Sequence, residues 1–348
     1  MGKAIRNKKL KVTSLFCGCG GMDLGIQGNF EFLGKHFEEL PFEVVYAADN
    51  DSYATAIYNS NFEHKCETKD VRDIEPSKIP DHDILLGGFP CQSFSISAQN
   101  PPRLGYKDDR GKLFFEMVNV LKEKQPRFFI GENVKGLLSA NKGQAFPMIV
   151  KEFEKAGYYI HHKLLNASEF GVPQKRERVF IVGFREFDDY FKFRFPQPNT
   201  LNGSKVKLKQ VIDPQADQDD KWFFSQRAVE GMLRVREKMN KGRVQDLEQP
   251  CNTISSHLAK VSLNGTDPVL MVDGKYRRFT PREAANIQSF PESFKLDVVS
   301  ENRQYRAIGN AVPPVLMWHV ANALIKCCSV EQPKEVKEKK EELLNQEI

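Results

Sequence analysis

The chain has 348 residues, of which 40% are apolar, and a formal net charge of +5 at pH 7. This length favours two domains or one large domain with an insertion, and the charge permits a polyanionic partner without requiring one. No apolar run approaches the ~20 residues that a membrane span needs. The opening residues, "MGKAIRNKKLKV", lack the apolar stretch of a signal peptide, so we expect a cytoplasmic protein.

The seven cysteines stand at positions 17, 19, 66, 91, 251, 327 and 328, with no C-x-x-C pair among them. This spacing supports neither a zinc ribbon nor a thioredoxin-like site. Cys17 and Cys19 lie in a glycine-rich turn without a second pair. We therefore expect reduced thiols and no metal site.

Six short apolar runs in the first half of the chain predict β-strands, at 11–16, 42–48, 82–89, 127–133, 160–166 and 178–184. Helical apolar spacing at 111–124 and 146–157 lies between some of them. Runs that are apolar on both faces and separated by crossovers indicate a mostly parallel sheet covered by helices. The predicted fold class is α/β, with a doubly wound sheet.

The strand–helix rhythm ends near residue 184. Residues 185–278 are polar, hold 17 Lys and Arg against 13 Asp and Glu, and contain one clear helical pattern at 225–242. Helical patterns resume at Pro281 and at 313–328. We predict an α/β body (1–184), a small irregular inserted domain (185–278), a segment that returns to the body (279–330) and a charged, disordered tail (331–348).

The first predicted strand runs directly into a glycine turn, "SLFCGCGGMDLG", with Gly18 and Gly20 in it. Such a turn lets the backbone approach a ligand, and the second strand ends on Asp49, which suits ribose hydroxyls. The glycines do not form the G-x-G-x-x-G cradle for a pyrophosphate, which disfavours a nicotinamide dehydrogenase. S-adenosylmethionine fits better. The alternative is a purely structural turn, with Asp49 capping the next helix.

Two polar residues follow the next strands. Cys91 comes just after the third strand, in "GGFPCQSFSIS", where the surrounding polar residues indicate a loop and a thiolate would be a strong nucleophile. Glu132 ends the fourth strand, where a carboxyl of raised pKa could donate a proton. The alternatives are a buried cysteine that packs as a small hydrophobe and a glutamate favoured by a helix N-terminus.

Arg176 and Arg178, in "QKRERVF", precede or begin the last strand of the body. Side chains at i and i+2 share one face of an extended segment, so both guanidiniums could reach the same anion. The alternative is a solvated strand entrance.

These segments, in this order, resemble the DNA (cytosine-5)-methyltransferases, most closely the small bacterial enzymes of restriction–modification systems. The resemblance extends over nearly the whole chain, from "LFCGCGGMDLG" through "GGFPCQSFS", "ENVKGLL", "QKRERVFIVG" and "TPREAANIQSFP" to "IGNAVPP". It implies methyl transfer from S-adenosylmethionine to C5 of a flipped-out cytosine in a short duplex DNA sequence.

The resemblance also assigns roles to residues. Cys91 would attack C6 of cytosine, Glu132 would engage N3 and the exocyclic amine, Arg176 would contact the base and stabilise the adduct, and Arg178 would support Arg176. The implied cofactor-binding residues are Phe16, Gly18, Gly20, Asp49, Asn50, Asp70, Val71, Pro90, Leu113, Asn310 and Val312. Gln92, Ser97 and Thr253 would approach the DNA. Asn50 departs from an aromatic residue that is common in related enzymes.

By the same resemblance, residues 185–278 form the target-recognition domain, and the protein acts as a monomer on double-stranded DNA. A cognate restriction endonuclease could act separately on the same site. Two alternatives stay open: methylation of tRNA, to which one branch of the family has switched, and a non-catalytic DNA-binding relative. The large inserted region and the serine-rich "CQSFSIS" favour DNA over tRNA, and the intact Cys91, Glu132, Arg176 and Arg178 argue against a non-catalytic relative.

Overall fold

The computed structural model describes residues 9–90, 109–198, 205–236, 243–258 and 267–329. A seven-stranded sheet has the order β5-β4-β1-β6-β7-β10-β8. The strands are β1 (Leu10–Leu15), β2 (Phe30–Phe32), β3 (Lys35–Phe37), β4 (Phe42–Asp49), β5 (Cys66–Thr68), β6 (Ile84–Gly87), β7 (Phe128–Val134), β8 (Tyr159–Asn166), β9 (Gln174–Lys175), β10 (Glu177–Phe184), β11 (Cys251–Asn252), β12 (Leu270–Val272) and β13 (Lys275–Arg277). The helices are α1 (Gly21–Gln27), α2 (Ser52–Asn61), α3 (Asp109–Lys124), α4 (Ala145–Lys155), α5 (Phe187–Lys192), α6 (Gln226–Arg236), α7 (Pro281–Ile287), α8 (Glu301–Asn310) and α9 (Pro314–Ser329).

The sheet is mostly parallel, which confirms the predicted fold class. β5, β4, β1, β6 and β7 run parallel to one another, while β10 is antiparallel to both β7 and β8. The parallel strands therefore end at one edge of the sheet. β10 begins at that edge and ends at the opposite one, because Arg178 pairs with Val134 and Phe184 pairs with Phe128.

Both faces of the sheet are buried, as the uninterrupted apolar runs predict. On β6, Ile84 and Leu86 pack into one apolar core and Leu85 into the other. On β7, Ile130 and Phe129 alternate in the same way. The first core includes residues of α1, α2 and α9, and the second includes residues of α3 and α4. A doubly covered sheet leaves its strand ends as the natural place for a ligand.

All six predicted strands of the body form within a few residues of their expected bounds. The predicted helix at 225–242 is described as α6 up to Arg236, and its remainder lies outside the described residues. α1, α2, α8 and β5 were not singled out by the sequence pattern. The predicted tail, 331–348, lies outside the described residues.

The body extends beyond residue 184. α5 follows β10 directly, and its Tyr190 stacks on His161 of β8 with ring centroids 4.1 Å apart. Phe193, just after α5, packs against Phe184 at 5.1 Å. This aromatic cluster holds residues 187–193 on the edge of the sheet, so the irregular part of the inserted region begins later than the polar composition suggests.

A buried ion triad joins the inserted region to the returning segment. Arg277 is fully buried and donates through both terminal nitrogens to Glu283, at 2.9 Å each. Its Nε donates to Asp217 at 2.6 Å. Glu283 also completes a capping box with Thr280 at the start of α7. Because a buried guanidinium is costly unless it is fully paired, these contacts fix residues near Asp217 to α7.

One segment, Glu301–Cys328, is long and apolar enough to cross a membrane by length and composition alone, contrary to the expectation from the sequence. In the fold it is interrupted between α8 and α9, and 61% of its most apolar window is buried. A Cβ on Gly25 of α1 would lie 2.6 Å from the carbonyl oxygen of Pro314, so α1 and α9 are in close contact. The segment therefore serves as core helices.

A buried polar chain lies beneath the glycine turn. Asp23 on α1 is fully buried and accepts hydrogen bonds from Ser14 and from the Tyr58 hydroxyl, both at 2.9 Å. The Tyr58 hydroxyl also bonds Nε2 of His64. Burial raises the pKa of Asp23 to about 6, although the two hydrogen bonds oppose the rise. The chain links β1, α1 and α2 behind the turn.

The raised pKa of Asp23 predicts a pH-dependent stability. The folded protein binds a proton at Asp23 more tightly than the unfolded chain does. Protonation of Asp23 therefore stabilises the fold fully below pH 4, and this contribution is lost as the pH rises through 6. Between pH 4 and pH 7, the free energy of unfolding of the wild type should fall by about 2–3 kcal/mol relative to that of Asp23→Asn. Urea denaturation of both proteins across this range measures the difference. Parallel stability curves for the two proteins would contradict the assignment.

Candidate functional site

A cavity of about 680 Å³ lies at the edge where the parallel strands end. We call it the strand-end cavity. Its walls come from the loops after β1, β4, β5, β6 and β7 and from the segment between α8 and α9. The sequence-predicted cofactor residues that line it are Phe16, Gly18, Asp49, Asn50, Asp70, Val71, Pro90, Leu113, Asn310 and Val312. The structure thus brings together residues that are up to about 300 positions apart in the chain.

Gly20 is the predicted cofactor residue that does not line the cavity. A Cβ at this position would lie 2.3 Å from the Phe62 ring, and its backbone has a φ of +91°. Gly20 is therefore required for the turn and for close packing. By contrast, a Cβ on Gly18 would meet nothing within 4 Å, which leaves open space beside the backbone at that position.

Asp49 is held rigidly at the end of β4. One carboxylate oxygen accepts from the backbone N–H of Gly18 at 2.9 Å, and the other accepts from that of Asp51 at 2.8 Å. Burial raises the pKa of Asp49, while these backbone hydrogen bonds oppose the rise. The same contacts that orient the carboxylate also tie the glycine turn to the second strand.

Asp70 also lines the cavity. It is the N-cap residue of a short helical turn, Val71–Asp73. The Arg72 side chain donates to it twice, at 2.9 and 2.8 Å, and this pairing lowers the pKa of Asp70 to about 2. Asp70 is therefore a fixed anion at neutral pH. Asn50 also donates to it, so the residue that departs from the family pattern closes this side of the cavity.

Glu132, near the end of β7, forms an ion pair with Arg178, whose Nε lies 2.9 Å from the Glu132 carboxylate. Both side chains are nearly buried, with 11% and 12% of their surfaces exposed. Burial raises the pKa of Glu132, and the charges of Arg178 and Arg176 pull it back. Burial and the two guanidinium charges thus act on the Glu132 pKa in opposite directions, with burial the larger effect.

Arg176 donates to backbone carbonyls and makes no ion pair with Glu132. Its two terminal nitrogens donate to three backbone carbonyls: Ile254 at 3.1 Å, Gly309 at 3.1 Å and Ala311 at 2.9 Å. The residue is 2% exposed. In this geometry Arg178 contacts Glu132, while Arg176 holds two loops together.

The other predicted residues are distributed as follows. Thr253 follows β11 and donates to the Lys175 carbonyl at 2.7 Å. Cys91, Gln92 and Ser97 lie outside the described residues. Pro90, the last described residue before Cys91, lines the strand-end cavity, as does Glu132. Asn133, beside Glu132, donates to the Phe89 carbonyl at 2.8 Å and so ties the two strand ends together.

Several lining residues were missed by the sequence reasoning. Lys69, Asn133 and Arg306 reach the cavity, and Arg306 is 3.4 Å from Asp51. No local motif signals Arg306, because α8 was not recognised as a separate helix. Within the described ranges, no group of three or more His, Cys, Asp or Glu side chains could hold a metal ion.

Comparison with known proteins identifies the family. The family model for "C-5 cytosine-specific DNA methylase" matches residues 10–326. The type II methyltransferase M.FnuDI of Fusobacterium nucleatum is 37% identical over 338 residues, which cover 90% of this chain and 94% of that protein. M.Bsp6I of Bacillus sp. (strain RFL6), also a type II methyltransferase, is 33% identical over 91% of this chain and 99% of its own length.

Solved structures agree on the fold. The Entamoeba histolytica methyltransferase EhMeth has a TM-score of 0.73 at 17% identity, covering 92% of this chain and 99% of that one. The S. pombe Dnmt2 methyltransferase has a TM-score of 0.70 at 20% identity, covering 92% and 100%. With the family model matched almost from end to end, the chain belongs to the C-5 cytosine-specific DNA methylases.

Proposed function

We propose that this enzyme transfers a methyl group from S-adenosylmethionine to C5 of a cytosine flipped out of a specific short duplex DNA sequence. It would act as the modification partner of a type II restriction system, through a covalent Cys91–C6 adduct. The observation that carries the proposal is the buried Glu132–Arg178 pair, whose Glu132 lines the strand-end cavity together with Pro90, the neighbour of Cys91.

The strand-end cavity fits a nucleoside-containing cofactor. Its volume of about 680 Å³ lies within the usual range for small-molecule sites. Asp49 would accept from the ribose hydroxyls, and Asp70 and Val71 would lie near the adenine. The open space beside Gly18 leaves room for close approach. When bound, S-adenosylmethionine supplies an electrophilic methyl group.

Cytosine C5 is a weak nucleophile, and the proposed chemistry overcomes this weakness in two steps. The Cys91 thiolate forms a bond to C6, and the electrons of the C5–C6 double bond shift toward N3 as Glu132 donates a proton there. C5 would then have enamine character and attack the methyl group, with S-adenosylhomocysteine as the leaving group and the N3 proton returned to Glu132. A base removes the C5 proton, the C5–C6 double bond re-forms and the sulfur leaves. The thiolate is thus regenerated.

The geometry suits Glu132 to this proton transfer. Burial raises the pKa of Glu132 and so favours the neutral form that donates the proton, while the Arg178 charge stabilises the carboxylate that remains after donation. We assign to Arg178 the contact with the base and the stabilisation of charge that the sequence interpretation gave to Arg176. Arg176 serves instead to position the loops at Ile254 and Gly309.

Duplex DNA is the substrate that the inserted region suits. Residues 185–278 carry 17 basic against 13 acidic side chains, which favours phosphate contacts. Thr253 lies within this region, on the loop that Arg176 ties to the cavity wall. A cytosine inside a duplex must leave the stack to reach a buried carboxyl group, so the reaction requires base flipping.

Replacing the nucleophile tests the reaction directly. A serine hydroxyl is a much weaker nucleophile than a thiolate, so Cys91→Ser should abolish methylation while S-adenosylmethionine still binds. Bisulfite sequencing of DNA from a host expressing each protein measures the activity and reveals the target sequence. Normal methylation by Cys91→Ser would reject the covalent mechanism. Methyl transfer by the wild type to tRNA alone would reject DNA as the substrate.

The two arginines should respond differently to a conservative change. Arg178→Lys loses the planar contact with Glu132 and should slow single-turnover methyl transfer about 10²–10³-fold, with little change in cofactor affinity. Arg176→Lys loses carbonyl contacts beside Asn310 and should mainly weaken cofactor binding. Rapid-quench kinetics and calorimetric titration separate these effects. A rate loss confined to Arg176→Lys would restore the role that the sequence suggested.

A further inference from the structure

We infer that Gln288 is a positioning residue that couples cofactor binding to DNA binding. It acts through two segments: the 253–255 loop, which carries Thr253, and the end of α8 with the two residues after it (309–312, called the 309–312 loop), of which 310–312 line the strand-end cavity. The inference rests on the proposed function and adds to it a residue outside the reacting centre. Gln288 is the glutamine of "NIQSFP", and none of the proposed catalytic or cofactor-binding steps uses it.

Gln288 is fully buried at the end of α7 and holds the 309–312 loop from behind. Its Nε2 donates to the Ala311 carbonyl at 3.3 Å and to the Ile308 carbonyl, which precedes the loop, at 2.9 Å. Its Oε1 accepts from Nε2 of Gln174 at 2.9 Å. Both amide hydrogens and the amide oxygen are therefore committed to this one arrangement.

Gln174 continues the connection to the other loop. It is also fully buried, and its Oε1 accepts from the backbone N–H of Ile254 at 3.0 Å. Two facing amides thus join the backbone of Ile254, next to Thr253, to the carbonyl of Ala311. The path has no solvent-exposed step, so neither amide can exchange its partner for water at low cost.

Arg176 and a close backbone contact reinforce the connection. Arg176 donates to the carbonyls of Ile254, Gly309 and Ala311 and therefore contacts both loops. A Cβ on Gly309 would lie 2.3 Å from the backbone of Ser255, so the loops touch without an intervening side chain. A displacement of either loop must displace the other or leave buried donors without partners.

This arrangement predicts positive coupling. A ligand in the strand-end cavity that orders the 309–312 loop also places the 253–255 loop, and DNA that orders the 253–255 loop places the cavity wall. Each ligand should then raise the affinity for the other by the same factor, because equilibrium coupling is reciprocal. Loss of the Gln288 amide should reduce this factor without removing either binding surface.

The test compares Gln288→Met with the wild type, because methionine has similar length but neither donates nor accepts in the same way. The dissociation constant of a duplex carrying the target sequence found by bisulfite sequencing is measured with and without S-adenosylhomocysteine. The coupling ratio is the dissociation constant without S-adenosylhomocysteine divided by that with it. We expect this ratio to be about 5–150 for the wild type and close to 1 for Gln288→Met. The affinity for S-adenosylhomocysteine alone should change much less.

A matched control is Gln304→Met. Gln304 lies on α8 and donates to the Val299 carbonyl at 2.8 Å, outside the connection between the loops. Its ratio should equal that of the wild type. A merely structural role of Gln288 would lower thermal stability and both affinities but leave the ratio unchanged. If Gln288→Met does not fold, Gln174→Met makes the same measurement from the other amide.

Two results would overturn the inference: a wild-type ratio near 1, or a wild-type ratio retained in the folded Gln288→Met or Gln174→Met protein. Either could occur in an enzyme that methylates DNA normally. Failure of the proposed function looks different, since the wild type would then methylate no DNA. The two failures are therefore distinguishable in the same set of experiments.

Discussion

The ion pair between Arg178 and Glu132 can form at the strand-end cavity because β10 runs antiparallel to β7. If β10 ran parallel to β7, it would begin at the opposite edge of the sheet, and Arg178 would lie far from Glu132. The reversed direction instead places Arg178 opposite Val134, where the parallel strands end. The direction of β10 thus brings the Arg178 guanidinium next to the buried Glu132 carboxyl group. Without this cation, the ionised form of Glu132 would be strongly disfavoured.

The remainder of the site is arranged around this pair. Asn133 ties the end of β7 to the carbonyl of Phe89, and Pro90 brings the chain to the cavity just before Cys91. On the other side, Asp49 holds the glycine turn through the Gly18 N–H. The returning C-terminal segment closes the cavity, which explains why residues near 310 must fold back onto the first strands.

Much of this arrangement was predictable from sequence, for identifiable physical reasons. Strands buried on both faces give long apolar runs, and polar residues at their ends stand out against them, as Asp49 and Glu132 do. The carbonyl contacts of Arg176 were not predictable in this way. The i, i+2 rule requires one continuous strand, but Arg176 lies between β9 and β10, where the chain changes from one ladder to another.

Long-range contacts account for the other differences. Gly20 lies in a motif associated with ligands, yet the residue that leaves no room for a side chain at this position is Phe62, which lies 42 positions away. The aromatic cluster of α5 has a charged sequence context, so composition alone assigned it to the inserted region. Gln174 and Gln288 lie 114 positions apart, and nothing in either local sequence indicates that their amides meet.

The proposed reaction depends on a transient bond between the sulfur at position 91 and the ring of the target base. A duplex with 5-fluorocytosine at the target position tests it most directly, because fluorine cannot leave as the C5 proton does. With S-adenosylmethionine present, we predict a denaturation-resistant protein–DNA complex whose peptide map places the link at Cys91. Absence of any such complex, on a sequence whose ordinary cytosine the enzyme methylates, would contradict the account.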